Sequence, residues 1–144
     1  MDGELRSLFR RNLPMVLWST IESGASDPGV PDSNGVISGI EFWVEMKQAV
    51  GNLVSVRAAQ VAWHTMRRRR GSRTFFAVRR SRRLARMDEL FIFDGADAQA
   101  LSVNGLRGGR ELLHCTGGPS AWDWTMVLET LTVKPLAVSR EGKG

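Results

Sequence analysis

Among its 144 residues the chain has no tyrosine, one cysteine, two histidines and only three lysines. Each scarcity closes a door. Without tyrosine, aromatic stacking falls to tryptophan or phenylalanine. A lone Cys115 forms no internal disulfide and fits a reducing compartment. His114 and Cys115 are adjacent, a poor spacing for zinc, and no second Cys/His pair exists, so both read as structural. No run of 18 or more apolar residues occurs, so no transmembrane helix and no membrane partner are expected. The opening MDGELRSLFRR lacks the apolar stretch of a signal peptide, and a cytoplasmic location is the expectation. GLRGG (105–109) lacks the lysine and Ser/Thr of a P-loop. No repeat or linker divides the chain. A single domain over 1–138 is expected, with a catalytic core at about 15–93, a helical part at 94–138 and a frayed tail at 139–144.

What the chain has is arginine. Of 20 basic residues 17 are Arg, the net charge is +5, and ten of the arginines fall between Arg67 and Arg86. Guanidinium groups bind phosphate bidentately and do not deprotonate, which suits a polyanionic partner. The phosphate-contacting candidates are Arg57, Arg67, Arg68, Arg69, Arg70, Arg73, Arg79, Arg80, Arg82 and Arg83; His64 beside them is read as DNA-facing or structural. The plain alternative is a solvated helix end and loop.

Residues 2–12 read as a short helix with Leu5, Leu8 and Phe9 on one face, ended by Pro14. Residues 15–22 read as a strand, and the turn-rich stretch 23–35 as a loop. Residues 36–48 read as one long strand, in which Ile40, Phe42, Val44 and Met46 alternate with Glu41, Trp43, Glu45 and Lys47. A helix capped by Ser55 runs to about Arg69 and stops at Gly71. Strands follow at 73–80 and 90–93, joined by a basic connector. One or two helical turns then occupy 96–103, and an amphipathic helix 120–131. The order α, β, β, α, β, β, α predicts a mixed sheet with helices against it. Trp43 shares a strand face with Glu45, which would set it near that residue, but core packing is the preferred reading; Trp63, Trp122 and Trp124 are assigned to the core or to a subunit interface.

The alternation places Glu45 and Lys47 side by side on one face. Asp32 lies thirteen residues upstream and Glu22 ten before that. A turn between strands would bring Asp32 beside Glu45, and clustered carboxylates at a sheet end make a hard-oxygen site for Mg²⁺ or Mn²⁺. An adjacent lysine suits holding a water or stabilising charge on a phosphate. The bland alternative is an exposed cross-strand pair, with Gln60 an ordinary helix-surface residue.

The stretch VPD (30–32) followed by EMK (45–47) resembles the signature of the PD-(D/E)xK nucleases. IESGASDPGVPD (21–32) looks like the segment before that motif in small phage and archaeal members. SVRAAQVAWHTMRRRRGSRTFFAVRR (55–80) resembles their next helix and strand. The likeness covers residues 21–93 and is shared by phage and archaeal Holliday-junction resolvases and the related VRR-type nucleases. It implies a three-layer α/β, restriction-endonuclease-like fold with a mixed central sheet. By resemblance Asp32, Glu45 and the Met46 carbonyl would hold Mg²⁺, for which Mn²⁺ substitutes, and no small-molecule cofactor is implied. Lys47 would act on the water or the transition state, and Gln60 would orient it. Glu22 would complete the set, with Glu4 as its alternative. The implied activity is that of a homodimeric endodeoxyribonuclease cutting four-way DNA junctions. The rivals are the same chemistry on flaps, nicks or linear duplex, an inert DNA-binding module, and a basic structural protein.

Overall fold

In the computed structural model residues 2–22 and 29–137 are described. Part of the turn-rich stretch, 23–28, and the tail from 138 onward, including the expected frayed end, lie outside the described residues. Six strands form one mixed sheet whose spatial order follows the chain: β1 (Leu17–Thr20), β2 (Ser33–Ile37), β3 (Ile40–Gln48), β4 (Arg73–Arg80), β5 (Glu89–Asp94) and β6 (Leu113–Cys115). All neighbours are antiparallel except β3 and β4. The helices are α1 (Asp2–Asn12), α2 (Ala58–Arg69), α3 (Ala98–Asn104) and α4 (Trp124–Thr132). No helix among the described residues is long and apolar enough to cross a membrane.

Alternation along the strands divides the sheet into two faces. Phe42, Val44 and Met46 of β3, with Phe75, Ala77, Leu90 and Ile92, join Leu5, Leu8 and Phe9 of α1 and Val127 and Leu131 of α4 in one core. Phe76, Val78, Phe91 and Phe93 point the other way, to Val54, Val56 and the α3 residues Ala98 and Leu101, with Val61 of α2 packed at the margin. Helices therefore cover both faces, and burying apolar side chains on each is what holds the layers together.

The sequence reading of 36–48 as one strand is corrected. Ser38 (φ 51°) and Gly39 (φ 78°) form a two-residue turn that joins β2 and β3 as a hairpin, with Ile37 opposite Ile40. Two successive positive φ values match the twist of a tight hairpin, and glycine takes the second without strain. The apolar residues on either side of Ser38–Gly39 disguise the break. Part of the expected loop is thus strand, and β6 is a further strand that the sequence reading lacks.

The parallel pair β3 and β4 is joined by α2. This crossover starts α2 at the Lys47 end of the sheet and returns it to the opposite end. The Arg67–Arg70 run closes α2, about 13 Å of helix beyond Gln60. Its last members, Arg69 and Arg70, lie at the opposite end of the sheet from the predicted site.

Several of the clustered arginines are internal. Arg68, 6% exposed, bonds Asp94 at 2.6 Å and the Ala137 carbonyl at 2.7 Å. Arg73 donates to the carbonyls of Thr130, Leu131 and Lys134, each at 2.9 Å, so it satisfies the open C-terminal end of α4. Arg79 is buried between Asp88 (2.9 Å) and Glu4 (3.2 Å). Arg80 and Arg82 both hold Glu89. With His114 also donating, they keep the Glu89 carboxyl well below its ordinary range, at about 2, against the opposing effect of its burial. For Arg68, Arg73 and Arg79 the DNA-contact assignment is therefore corrected: burial and internal partners engage their guanidinium groups.

Removing one member of the Arg68–Asp94 pair strands a buried charge. Arg68→Ala or Asp94→Ala is expected to cost about 3–5 kcal/mol in denaturant unfolding. The Arg68→Met, Asp94→Leu double variant should lose clearly less than the sum of the two. Single losses below about 1 kcal/mol would show that the pair does not support the fold.

Candidate active site

β3 presents Glu45 and Lys47 on the face that α2 covers. The hairpin register sets Ser33 opposite Val44, which carries Asp32, one residue before β2, to the level of Glu45. The Asp32 N–H donates to Glu45 Oε1 (3.2 Å), and the Met46 N–H donates to Asp32 Oδ2 (3.4 Å). The Ile21 N–H donates to the Asp32 carbonyl at 2.8 Å, so the end of β1 is tied to the same point.

Gln60, in the first turn of α2, closes the arrangement. Its Nε2 donates to Glu45 Oε2 at 3.0 Å. Its Oε1 accepts from Lys47 Nζ at 2.9 Å and from the Arg57 N–H at 3.1 Å. Lys47 Nζ also lies 3.6 Å from Glu45 Oε2. Gln60 is 3% and Glu45 6% exposed, so a triangle of amide, carboxylate and ammonium is held nearly out of water. The Arg57 contact explains why α2 starts where it does. Gln60 sits at the third helical position and satisfies the N–H of the capping residue, Arg57. Ser55, the cap expected from sequence, is not the one used.

These groups line a cleft of about 410 Å³ whose wall is completed by Arg6, Thr20, Ile21, Glu22, Val30 and Arg57. Of the two upstream glutamates, Glu22 lines the cleft, whereas the Glu4 carboxylate pairs with Arg79. Met46 reaches the site through its backbone alone, because its side chain is buried in the opposite core. Arg6 was not foreseen. It stands 4.0 Å from Asp32 Oδ2, and the sequence reading looked only at the apolar face of its helix. No sequence pattern links it to the strand hairpin. Three cations (Arg6, Lys47, Arg57) thus face three carboxylates (Glu22, Asp32, Glu45). The cleft can take a phosphate without a large repulsive field.

The donor set is all oxygen, which suits Mg²⁺. Among the described residues no three His, Cys, Asp or Glu side chains form a ready cluster. The adjacent pair is Asp32 and Glu45. One or two carboxylates are what Mg²⁺ takes from a protein when waters and phosphate oxygens fill its other positions, so the pair fits one such ion.

Other predicted contacts are distributed differently. Arg57, Arg67, Arg69, Arg70 and Arg83 are exposed, and Arg82 is exposed while holding Glu89. His64 is corrected. It shares the helix face of Gln60 as expected but is fully buried, stacked on Phe76 at 4.2 Å, with Nδ1 3.0 Å from Thr74 Oγ1. Burial first, then the nearby Lys47 charge, push its pKa down to about 3, so the ring is neutral at pH 7.

In comparisons with known proteins, no family model and no curated protein matches the chain.

The neutral His64 makes folding pH-dependent. Below its ordinary pKa of 6.5 the unfolded chain takes up a proton that the folded chain, with a pKa of about 3, refuses. Stability from this position is full above pH 6.5 and falls as pH drops toward 3. Melting temperatures of wild type and His64→Phe measured from pH 7.5 to 5 should therefore converge or cross as pH falls. Parallel curves would show that His64 is not held neutral.

Proposed function

We propose that this chain is a Mg²⁺-dependent endodeoxyribonuclease with a PD-(D/E)xK-type site and fold, acting as a Holliday-junction resolvase. The observation that carries the reading is the meeting of Asp32, Glu45, Lys47 and Gln60 in one cleft, brought from three separate segments. Chance occurrence of the short motif does not predict that meeting, nor the direct bridge from Gln60 to both members of ExK.

Asp32 and Glu45 would hold the metal, with the Met46 carbonyl as the further ligand implied by the motif. When bound, Mg²⁺ supplies positive charge to the phosphate and makes a coordinated water more acidic. The protein's own groups do the rest. Lys47 Nζ, aimed by Gln60 and 3.6 Å from Glu45, is placed to orient a water or to stabilise charge on the phosphate oxygens. Arg6 and Arg57 on the wall would hold the flanking phosphates. Glu22 is placed to hold a water or to add a further oxygen donor. Phosphodiester hydrolysis would leave a 5′-phosphate and a 3′-hydroxyl.

The four-way junction is assigned on the resemblance to resolvases. Two matched cuts ask for two sites, which a C₂ homodimer supplies. Cleavage of a labelled immobile junction, a flap and a linear duplex in Mg²⁺, with Glu45→Gln as control, tests both levels. Paired symmetric nicks confined to the junction and absent in the control are the expected result. Equal cutting of all three would keep the chemistry and remove the resolvase assignment. No cutting of any of them would sink the nuclease reading.

Placement also ranks the arginines. Arg57→Ala should weaken DNA binding measured in Ca²⁺ and flatten its salt dependence by about one unit of slope. The Arg69→Ala, Arg70→Ala pair, at the far end of α2, should leave cleavage rates nearly unchanged. The reverse ranking would mean that DNA approaches from the other end of the sheet.

A further inference from the structure

Two tryptophans assigned to the core from sequence lie outside it. Trp43 and Trp63 belong to neither core cluster, and both are partly exposed. Their rings meet edge to face with centroids 5.5 Å apart. The exposed Arg67 lays its guanidinium 4.6 Å over Trp63 and 5.9 Å from Trp43. Among the described residues Arg67 makes no ion pair with a carboxylate.

The group adjoins the cleft by construction. Trp43 is two residues before Glu45 on the same strand face, roughly 6.6 Å away along β3. Trp63 is three residues after Gln60, one helical turn on. The same two elements thus present the cleft groups and the rings. Arg67, four residues beyond Trp63, sits over the rings with its charge unneutralised. On this same sheet face Leu17 of β1, two strands away, is 71% exposed.

Aromatic rings with an arginine beside a cleft lined by three cations match one ligand chemistry well, a nucleobase attached to its phosphate. The rings offer a face or edge to any base, and the guanidinium offers charge to the neighbouring phosphate. Bases inside a duplex are already stacked on each other, so only an unpaired base is available. We propose that Trp43, Trp63 and Arg67 form a stacking platform for an unpaired nucleotide next to the cleaved phosphate. DNA carrying an unpaired base there, in a flap, a gap or an opened junction centre, is then preferred over continuous duplex. The proposal rests on the DNA-cleavage reading of the cleft.

The test is binding in Ca²⁺ of a flap and of a matched continuous duplex, each with a fluorescent adenine analogue near the junction point. Wild type should bind the flap more tightly and change the analogue's emission on stacking. Trp63→Leu, with its melting temperature checked, should weaken flap binding by about 5- to 100-fold and leave duplex binding within about twofold. Arg67→Gln changes only an exposed side chain and should reduce flap preference in the same direction. Equal binding of both DNAs by wild type, or equal losses on both in the variants, would overturn the platform. Cleavage in Mg²⁺ is scored separately. Wild type that cuts duplex without flap preference keeps the nuclease and loses the platform. Flap preference in binding with no cutting of any DNA, the four-way junction included, keeps the platform and loses the nuclease.

Discussion

A carboxylate in the middle of a sheet is costly unless donors meet it, and Glu45 is 6% exposed on β3. The site is organised around answering that cost. The Asp32 N–H, the Gln60 amide and the Lys47 ammonium all turn toward Glu45. Lys47 shares β3 with Glu45, but Asp32 leads into β2 and Gln60 opens α2, so satisfying one side chain ties the entry to β2 and the start of α2 to β3. Gln60 is the hinge of this arrangement, because a single amide donates to the acid and accepts from the base. It also satisfies the helix's first open N–H. Loss of that amide would leave a buried carboxylate and an ammonium to find each other without a spacer.

The two ends of the sheet have different tasks. At the Lys47 end, cations and carboxylates remain in contact with an open cleft. At the other end the charges are turned inward: Arg68 locks α2 to β5 through Asp94, and Arg73 closes α4. Arginine suits this work because its fork serves several carbonyls at once. The high arginine content thus has two structural settings, and only one of them faces an open cleft. Net charge alone does not separate them.

Much of the candidate site was readable from the chain. The alternation over Ile40–Gln48 placed Glu45 and Lys47 together, and the spacing to Asp32 implied the turn that brings it alongside. The structure puts Asp32, Glu45, Lys47 and Gln60 in direct contact. The layering of helices on a mixed sheet was also readable, since it follows from local periodicity. What failed were long-range facts. The Ser38–Gly39 turn was hidden by apolar neighbours. The short β6 has too few residues for a pattern. The named partners of Arg68, Arg73 and Arg79 lie 9 to 75 residues away in the chain, so local pattern does not show them. His64 looked available because its helix position matched Gln60, but Phe76 and Thr74 bury it. Trp43 and Trp63 looked like core for the opposite reason, since apolar character does not reveal which strands a helix leaves uncovered.

The central claim is that Lys47, held by Gln60 beside Glu45, serves phosphodiester hydrolysis. Single-turnover cleavage of a labelled DNA substrate in Mg²⁺ by wild type and Lys47→Met measures it most directly, with DNA binding followed in parallel. The account predicts that cleavage falls at least about 100-fold while binding persists. A Lys47→Met protein that cuts as fast as wild type would contradict it, as would a folded, DNA-binding wild type that cuts nothing.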